Sequence, residues 1–303
     1  MHKLDKRKLA GSGGIGVITG FLLGTLFYIA IQTFYNNSTE NIIEILALTT
    51  SVLTLTGIGI IDDFLGWQHG GLSRNFRIFI CLFAAIPLVV INAGYSMVFF
   101  PFLGEIQLGI LYAFVIIPIG ITGAATTFNF LAGYNGLEAG QGILILLALS
   151  IVTYYTNNSW LTVICLTMVA CLVAFIFFNK YPSKIFPGDS LTYSVGGLIA
   201  IIAILGNIER VSIFFFIPYI LETGLKVRGK LKKYSFGKVN EDGSLEKPYN
   251  KIYGLEHFAI ILLKRLKKNK KVFEKDVVRL IFVFQILIIV LGLYIFRKSI
   301  FII

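Results

Sequence analysis

Two adjacent carboxylates, Asp62 and Asp63, stand directly after the apolar run LTLTGIGII. A carboxylate at the mouth of a membrane-length apolar segment is costly unless water, a partner or a cation satisfies it. Oxygen-bearing side chains also follow two other apolar segments, with Asn129 and Asn135 after one and Asp189 after another. Carboxylate and amide oxygens suit Mg2+, which is usually shared with the phosphate oxygens of a substrate. The sequence therefore predicts a cation-dependent phosphate site where these segments end.

Glycines and one aromatic residue accompany these polar groups. Gly133 and Glu138 lie in the string FNFLAGYNGLEAGQG, and Phe186 and Gly188 lie in NKYPSKIFPGDS. Glycine permits close backbone approach, as phosphate-binding loops need, although membrane helices also use it for packing. An aromatic ring in a water-facing loop either stacks on a base or anchors the chain at a membrane interface. Gly133, Glu138 and Phe186 are therefore candidate substrate contacts, with anchoring at the membrane interface equally open for Phe186.

The composition defines the elements that must position these residues. Of the 303 residues, 56% are hydrophobic and 14% charged, and the mean hydropathy is +0.81. A soluble domain of this length could not cover so much apolar surface, and the apolar blocks are long enough to cross a bilayer. The predicted fold is an all-α polytopic membrane helix bundle, with about nine spans over residues 13–35, 42–61, 77–93, 108–128, 142–156, 160–178, 191–206, 211–225 and 277–296.

The distribution of charge gives the expected orientation. With a cytoplasmic N-terminus, 24 of the 27 Lys and Arg residues fall on or beside the inner segments. The positive-inside rule therefore explains most of the net charge of +11, and nucleic acid is not indicated as a partner. All of the polar clusters then lie on the cytoplasmic face of a cell membrane. A homodimer is compatible with the sequence, which leaves the oligomeric state open.

Three strings at these helix ends carry a resemblance to a known family. They are the Asp62–Asp63 pair, NFLAGYNGLEAGQ from Asn129 to Gln141, and YPSKIFPGDSLTY from Tyr181 to Tyr193. In this order they resemble the polyprenyl-phosphate N-acetylhexosamine-1-phosphate transferases, which form glycosyltransferase family 4. Members have ten spans, the first of them ahead of a D-x-x-K segment. Because that segment is Asp5 to Lys8 here, we expect nine.

The middle string indicates the branch. Bacterial members, including the phospho-N-acetylmuramoyl-pentapeptide transferases, usually carry Asp where this chain has Ala132 and Asn135. The chain is therefore most similar to the dolichyl-phosphate N-acetylglucosamine-phosphotransferases of eukaryotes and archaea. The eukaryote-like strings, the isoleucine and lysine bias and the compact loops favour an archaeal cell membrane.

The resemblance implies a reaction. A dolichyl or other polyprenyl phosphate attacks the sugar-bearing phosphorus of a UDP-N-acetylhexosamine such as UDP-N-acetylglucosamine, and UMP is released. This is a first membrane step of lipid-linked oligosaccharide synthesis and protein glycosylation. Carried over by position, Asn129 and Asp189 look like the Mg2+ site, and Asn135 with Phe186 looks like the uridine contact.

The resemblance also places Asp62 and Asp63 near the acceptor phosphate and, with Asp189, makes them candidate catalytic residues. A basic residue is expected after the paired aspartates, and the spacing leaves both Arg74 and Arg77 open.

The basic segment before the last span differs from the family pattern. The family has an Arg/His-rich loop there that contacts the donor diphosphate, whereas this chain has VRGKLKKYSFGK. Arg228 and Lys230 are its candidate replacements, with three other lysines nearby at 232, 233 and 238. Residues 226–276 form a predicted cytoplasmic insertion in a single domain spanning residues 1–303. Within it, NEDG indicates a hairpin, and GLEHFAIILLKRLKKNKK indicates an amphipathic helix at the membrane surface, where the basic run could also bind anionic lipid.

Three alternatives stay open on the sequence. A sugar-pentapeptide transferase of cell-wall synthesis would use the same chemistry on a bulkier donor. A transporter would also carry intramembrane polar groups, although here they cluster at one face. An inactive paralogue would fit the altered basic loop. Release of UMP would separate the two transferase functions from the transporter and from the inactive paralogue.

Overall fold

The computed structural model describes residues 9–100 and 104–301, so the predicted Asp5–Lys8 segment lies outside the described residues. The chain is mostly helical, as the composition predicts. In chain order the helices are α1 (Gly14–Ala30, continued by a π-helical turn over Ile31–Tyr35), α2 (Ile42–His69), α3 (Arg74–Phe83), α4 (Ile86–Val90), α5 (Ile117–Phe128, preceded by a π-helical turn over Tyr112–Ile116), α6 (Leu137–Tyr155), α7 (Ser159–Asn179), α8 (Asp189–Leu205), α9 (Glu209–Phe215), α10 (Ile217–Arg228), α11 (Leu255–Leu266), α12 (Glu274–Ile295) and α13 (Arg297–Ile300).

Five stretches among the described residues are helical, long and apolar enough to cross a membrane. They are Gly14–Tyr35, Ile42–Gly66, Leu137–Tyr155, Ser159–Asn179 and Glu274–Ile295. Shorter apolar helices cover Tyr112–Phe128 and Asp189–Leu205. The chain is therefore a helical membrane protein, and the count of nine spans stays a prediction.

The two remaining predicted spans are each divided into two helices. Residues 77–93 correspond to α3 and α4, and residues 211–225 correspond to α9 and α10. Pro87 and Pro218 lie at the starts of α4 and α10. Proline lacks an amide hydrogen and collides with the preceding turn, so an unbroken helix through these positions is disfavoured. Hydropathy alone does not reveal such a break.

The helix α2 is longer than its hydropathy predicts. It was expected to end at residue 61, with Asp62 and Asp63 just beyond it, but it continues to His69. The two aspartates therefore lie on the helix itself. Asp62 is buried and Asp63 is half-buried. Their side chains are held by neighbouring helices rather than by water at a helix end.

The helix α8 lies at the centre of the bundle, and most of its residues are buried. It packs against α2 and α5 through two adjacent glycines. A Cβ atom on Gly196 would lie 3.0 Å from the Cα atom of Ala125, and one on Gly197 would collide with Leu55. The glycines therefore let three helices approach closely, and this packing fixes the first turn of α8 relative to the end of α2.

Several helix ends meet at one end of the bundle. The side-chain amide of Asn129, at the end of α5, donates to Asp189 at the start of α8 over 3.0 Å. The backbone N–H of Gly136, before α6, donates to Oδ1 of Asn179 at the end of α7 over 3.1 Å. The strings that carry the family resemblance are thus brought together in space.

Residues between α10 and α12 fold against this same end. Two short antiparallel strands, β3 (Lys238–Val239) and β4 (Leu245–Glu246), form where the sequence predicts a hairpin, and α11 follows them. Another antiparallel pair, β1 (Met97–Phe100) and β2 (Gly104–Gln107), precedes α5. The cytoplasmic location of the β3–β4 hairpin stays a prediction. The description of the chain as one domain with an insertion at residues 226–276 also stays a prediction.

Candidate active site

The N-terminus of α8 is capped by a side chain from another helix. Gly188, which precedes α8, has a φ of +73° and no side chain, so it cannot supply the cap itself. Asp63 on α2 accepts hydrogen bonds from the backbone N–H groups of Asp189 over 2.7 Å and of Ser190 over 3.3 Å. The Ser12 hydroxyl donates to the same carboxylate over 2.9 Å. A carboxylate here satisfies otherwise unpaired amides and complements the positive end of the helix dipole.

Two features require a glycine at position 188. A Cβ atom there would collide with the Asp63 carboxylate, and the positive φ already disfavours other residues. The cap and the turn therefore depend on each other, and together they set the position of the Asp189 side chain.

Asp62 has a different set of partners. Its carboxylate pairs with the Arg77 guanidinium, with Nε lying 2.8 Å from Oδ2, and accepts the backbone N–H of Leu72 over 2.8 Å. The Tyr193 hydroxyl donates to it over 2.9 Å. Both carboxylate oxygens are engaged and the side chain is buried, so Asp62 acts as an anchor for Arg77 and for the turn between α2 and α3.

The two basic residues that the sequence left open have different surroundings. Arg77 joins the site, whereas Arg74 lies exposed at the start of α3. They lie three residues apart on α3, on nearly the same face, and Arg77 is the one placed a turn further along the helix.

Asp189 is a suitable ligand for a shared Mg2+ ion. It lies beside the Asn129 amide and interacts electrostatically with Asp62, Asp63 and Arg77. Among the described residues, no three His, Cys, Asp or Glu side chains converge as a ready-made metal cage. Mg2+ commonly uses only one or two carboxylates and completes its shell with water and phosphate oxygens. The residues present therefore fit a cation that arrives with a phosphorylated substrate.

A cavity of about 370 Å3 opens beside these groups. Six of the residues predicted from the sequence line it: Asp63, Asn129, Gly133, Glu138, Phe186 and Asp189. Two cations, Lys226 and Lys233, also line it, together with Ser235 and Phe236. The cavity thus combines carboxylates, cations and aromatic rings, as a site for a nucleotide diphosphate with a cation would require.

The segment after α10 forms one wall of this cavity. The Phe236 ring lies against Gly133, where φ is +107° and a Cβ atom would collide with the ring. The backbone N–H of Gly237 donates to the Tyr134 hydroxyl over 2.9 Å. The backbone N–H of Gly133 donates to Glu138 over 2.6 Å. Gly133 therefore shapes the cavity because it has no side chain. From the sequence it was predicted only as a substrate contact.

Three other predicted residues lie elsewhere. Asn135 is buried outside the cavity lining, and its backbone N–H donates to Glu274 at the start of α12 over 2.6 Å. Arg228 and Lys230 are exposed and do not line the cavity. Two other lysines, Lys226 and Lys233, line the cavity instead, so a contact of Arg228 or Lys230 with the donor stays a prediction.

A buried acidic cluster behind the cavity wall was missed from the sequence. Glu222 accepts the backbone N–H of Leu255 over 2.6 Å and the Ser235 hydroxyl over 3.1 Å, and Lys226 lies 3.8 Å from it. Glu256 is fully buried, and its carboxyl oxygens have no hydrogen-bond partner among the described residues. One signal was available, since Glu222 is an acidic residue within a predicted span.

Burial controls the protonation of this cluster. Burial, together with the charge of Glu222, raises the pKa of Glu256 well above its usual range. The neighbouring His257 is also buried, and this lowers its pKa to about 4. Its Nδ1 accepts the backbone N–H of Tyr253 over 3.2 Å. Burial therefore favours the neutral form of Glu256, and His257 is uncharged at neutral pH, which supports a structural role for His257.

The fold is that of a helical membrane protein, and its polar cavity has residue types that would suit a phosphorylated substrate with a cation. Comparison with known proteins identifies the family. The family model described as glycosyl transferase family 4 matches residues 43–207, and the chain belongs to this family.

Three relatives illustrate its range. A protein of Saccharolobus solfataricus, provisionally named UDP-N-acetylglucosamine–dolichyl-phosphate N-acetylglucosaminephosphotransferase, is 37% identical over 255 residues, covering 82% of this chain and 76% of the relative. The Dictyostelium discoideum protein of that name is 29% identical, and the match covers 72% of this chain and 60% of the length of that protein. A phospho-N-acetylmuramoyl-pentapeptide-transferase of Wolbachia sp. subsp. Drosophila simulans is 30% identical, and the match covers 73% of this chain and 68% of that protein.

The buried Glu256 predicts a stability that falls as pH rises. Its pKa is raised on folding, so the favourable contribution is complete below the unfolded pKa and is lost as pH rises towards the folded pKa. Over that window each pH unit costs about 1.4 kcal/mol. We expect Glu256→Gln, which keeps the shape without the charge, to raise the thermal unfolding midpoint in detergent at pH 8 and to lose this advantage near pH 4.

Glu246→Gln is the matched control. This carboxylate is exposed and its pKa is lowered by Lys264, so the effect has the opposite sign: wild type keeps its small advantage above the unfolded pKa and loses it in acid. An unfolding midpoint of Glu256→Gln that matches wild type at every pH would show that Glu256 is not held neutral by burial.

Proposed function

We propose that this protein transfers N-acetylglucosamine 1-phosphate from UDP-N-acetylglucosamine to dolichyl phosphate or another polyprenyl phosphate and releases UMP. The observation that carries the proposal is the cavity in which Asp63, Asn129 and Asp189 share a lining with Lys226 and Lys233. Membership of glycosyl transferase family 4, and the names of the archaeal and amoebal relatives, support the same donor and acceptor.

The reaction is an in-line phosphoryl transfer. An oxygen of the acceptor phosphate forms a bond to the sugar-bearing phosphorus, the bond from that phosphorus to the bridging oxygen breaks, and UMP leaves with the bond's electron pair. A phosphate monoester is mostly ionised at pH 7, so the attacking oxygen needs no strong base. Positioning and neutralisation of charge are therefore the main tasks of the protein.

We assign the acceptor phosphate to the Asp62–Arg77 side of the site. Asp62 is already bonded to Arg77, Tyr193 and Leu72, so its role is to hold the guanidinium in place rather than to remove a proton. The fixed planar guanidinium can pair with a phosphate through its remaining donors.

We assign a Mg2+ ion, shared with the donor diphosphate, to Asp189 and Asn129. When bound, the ion would neutralise the negative charge that collects on the leaving UMP. Asp63 holds Asp189 at the cavity through its bonds to the start of α8. We assign Lys226 and Lys233 to the donor phosphates and Phe186 to the uracil ring, because all three line the cavity.

We further propose that the cavity faces the cytoplasm, where UDP-sugars are available. The support is the distribution of Lys and Arg along the sequence.

A second candidate function is transfer of a phospho-sugar-pentapeptide, which the Wolbachia relative favours. The two functions differ in the donor, so comparing UDP-N-acetylglucosamine with UDP-N-acetylmuramoyl-pentapeptide separates them.

The first test is UMP release by the purified protein from UDP-N-acetylglucosamine, dolichyl phosphate and Mg2+. We expect Asp189→Asn, which keeps the volume and removes the charge, to lower the rate by roughly 100-fold or more, the scale seen when a group that stabilises transition-state charge is lost. Glu241→Gln makes the same chemical change at an exposed residue and should leave the rate unchanged.

Wild-type protein that releases no UMP from either donor would overturn the enzyme proposal and favour the inactive paralogue or the transporter. UMP release that persists in Asp189→Asn would leave the transferase standing and contradict the role given to Asp189.

Lysine substitutions test the donor assignment. Both Lys232 and Lys233 are exposed, but only Lys233 lines the cavity. A hydrogen bond to a charged group contributes about 1.5 kcal/mol or more, so we expect Lys233→Ala to raise the donor KM about tenfold and Lys232→Ala to leave it unchanged. A larger rise in the Arg228→Ala or Lys230→Ala protein would instead support the residues predicted from the sequence.

A further inference from the structure

A run of basic residues closes α11 and leads into α12. Six of the eight residues from Lys264 to Lys271 are Lys or Arg. Three of them form ion pairs: Lys264 with Glu246, Lys267 with Asp276, and Lys271 with Asp242. The other three, Arg265, Lys268 and Lys270, are exposed and form no ion pair with a described acidic residue.

The same helix exposes large apolar side chains beside these cations. Phe258 is 50% exposed and Leu266 is 69% exposed. With Leu262 and Arg265 they follow an i, i+4, i+7, i+8 spacing, so they share one face of α11. The opposite face is buried and carries Glu256, His257, Ala259 and Ile260. A helix that presents both apolar and basic residues on its outer side is typical of the membrane interface.

The position of α11 places this face beside the end of a candidate membrane span. It is joined by a short link to α12, which is long and apolar enough to cross a membrane. The link is fixed by the Lys267–Asp276 ion pair and by a 2.7 Å hydrogen bond from the N–H of Leu245 to the carbonyl of Val272. The basic run therefore lies next to one end of this candidate span, and a cluster of cations beside a span is attracted to anionic lipid.

We propose that the outer face of α11, with Arg265, Lys268 and Lys270, docks on the headgroups of anionic phospholipids in the leaflet that α12 enters at Glu274. Phe258 and Leu266 insert at the boundary between headgroups and acyl chains. The proposal rests on charge complementarity and on the connection to α12, and it does not depend on the transferase activity.

Docking has a consequence for the cavity. The start of α11 is bonded to α10 through the Leu255 N–H and Glu222, and Glu222 also holds Ser235 in the cavity wall. A membrane-bound α11 therefore helps to hold this wall in place.

Hydrogen exchange of the full-length protein in lipid nanodiscs tests the proposal. One preparation contains phosphatidylcholine alone, and the other contains phosphatidylcholine with phosphatidylglycerol. We expect peptides covering residues 258–271 to exchange at least several-fold more slowly in the anionic discs, and this protection to fall as salt is raised. The salt series needs no variant, so it holds even where a substitution disturbs folding.

Two triple variants locate the effect. Arg265→Gln, Lys268→Gln and Lys270→Gln together should abolish the difference between the two lipids. Lys232→Gln, Lys238→Gln and Lys251→Gln remove the same charge from exposed sites in the same segment and should retain it. Equal exchange in both discs, protection that resists salt, or equal loss in the two triple variants would overturn the proposal.

Discussion

The bond between the Asp63 carboxylate and the first backbone amides of α8 is the interaction on which the site depends. The residue that precedes α8, Gly188, has no side chain to satisfy the free N–H groups of the helix, and α8 is buried at the centre of the bundle. Unpaired buried amides are costly, and a cap typically contributes about 1 kcal/mol. The end of α2 supplies that cap across the bundle, and Asp189 is thereby fixed at the edge of the cavity.

The neighbouring aspartates divide their roles because they are consecutive on one helix. Successive side chains on an α-helix point about 100° apart, so Asp62 and Asp63 face different partners. One holds Arg77 and the turn after α2, and the other holds the start of α8. This arrangement separates an arginine-bearing side from a side of carboxylates and an amide, although the two aspartates are adjacent in sequence.

Sequence reasoning recovered the strings that form the site because chemistry restricts residue types there. Asn129, Asp189, Phe186 and Gly133 were each predicted and all line the cavity. The helix bundle followed from composition, since long apolar segments have few alternatives in a membrane. The continuation of α2 through Asp62 and Asp63 was missed, because partners far away in sequence compensate their charge and hydropathy does not register them.

Long-range packing also explains the other differences. Contact of Arg77 rather than Arg74 with Asp62 depends on the placement of α3, and the presence of Lys233 rather than Lys230 in the cavity lining depends on the path of the chain after α10. The breaks at Pro87 and Pro218 reduced two predicted spans to pairs of short helices. In each case the residue type was visible in the sequence, but its partner was set by the fold.

The central claim, that Asp63 acts through Asp189, is tested most directly by a double-mutant cycle in donor affinity. Binding of UDP-N-acetylglucosamine with Mg2+ would be measured for Asp63→Ala, Asp189→Asn and the double variant, which keeps the comparison independent of turnover. The account predicts that each single change weakens binding and that the double variant binds no more weakly than Asp189→Asn alone. Losses that add would contradict it, because Asp63 would then serve the donor independently of Asp189.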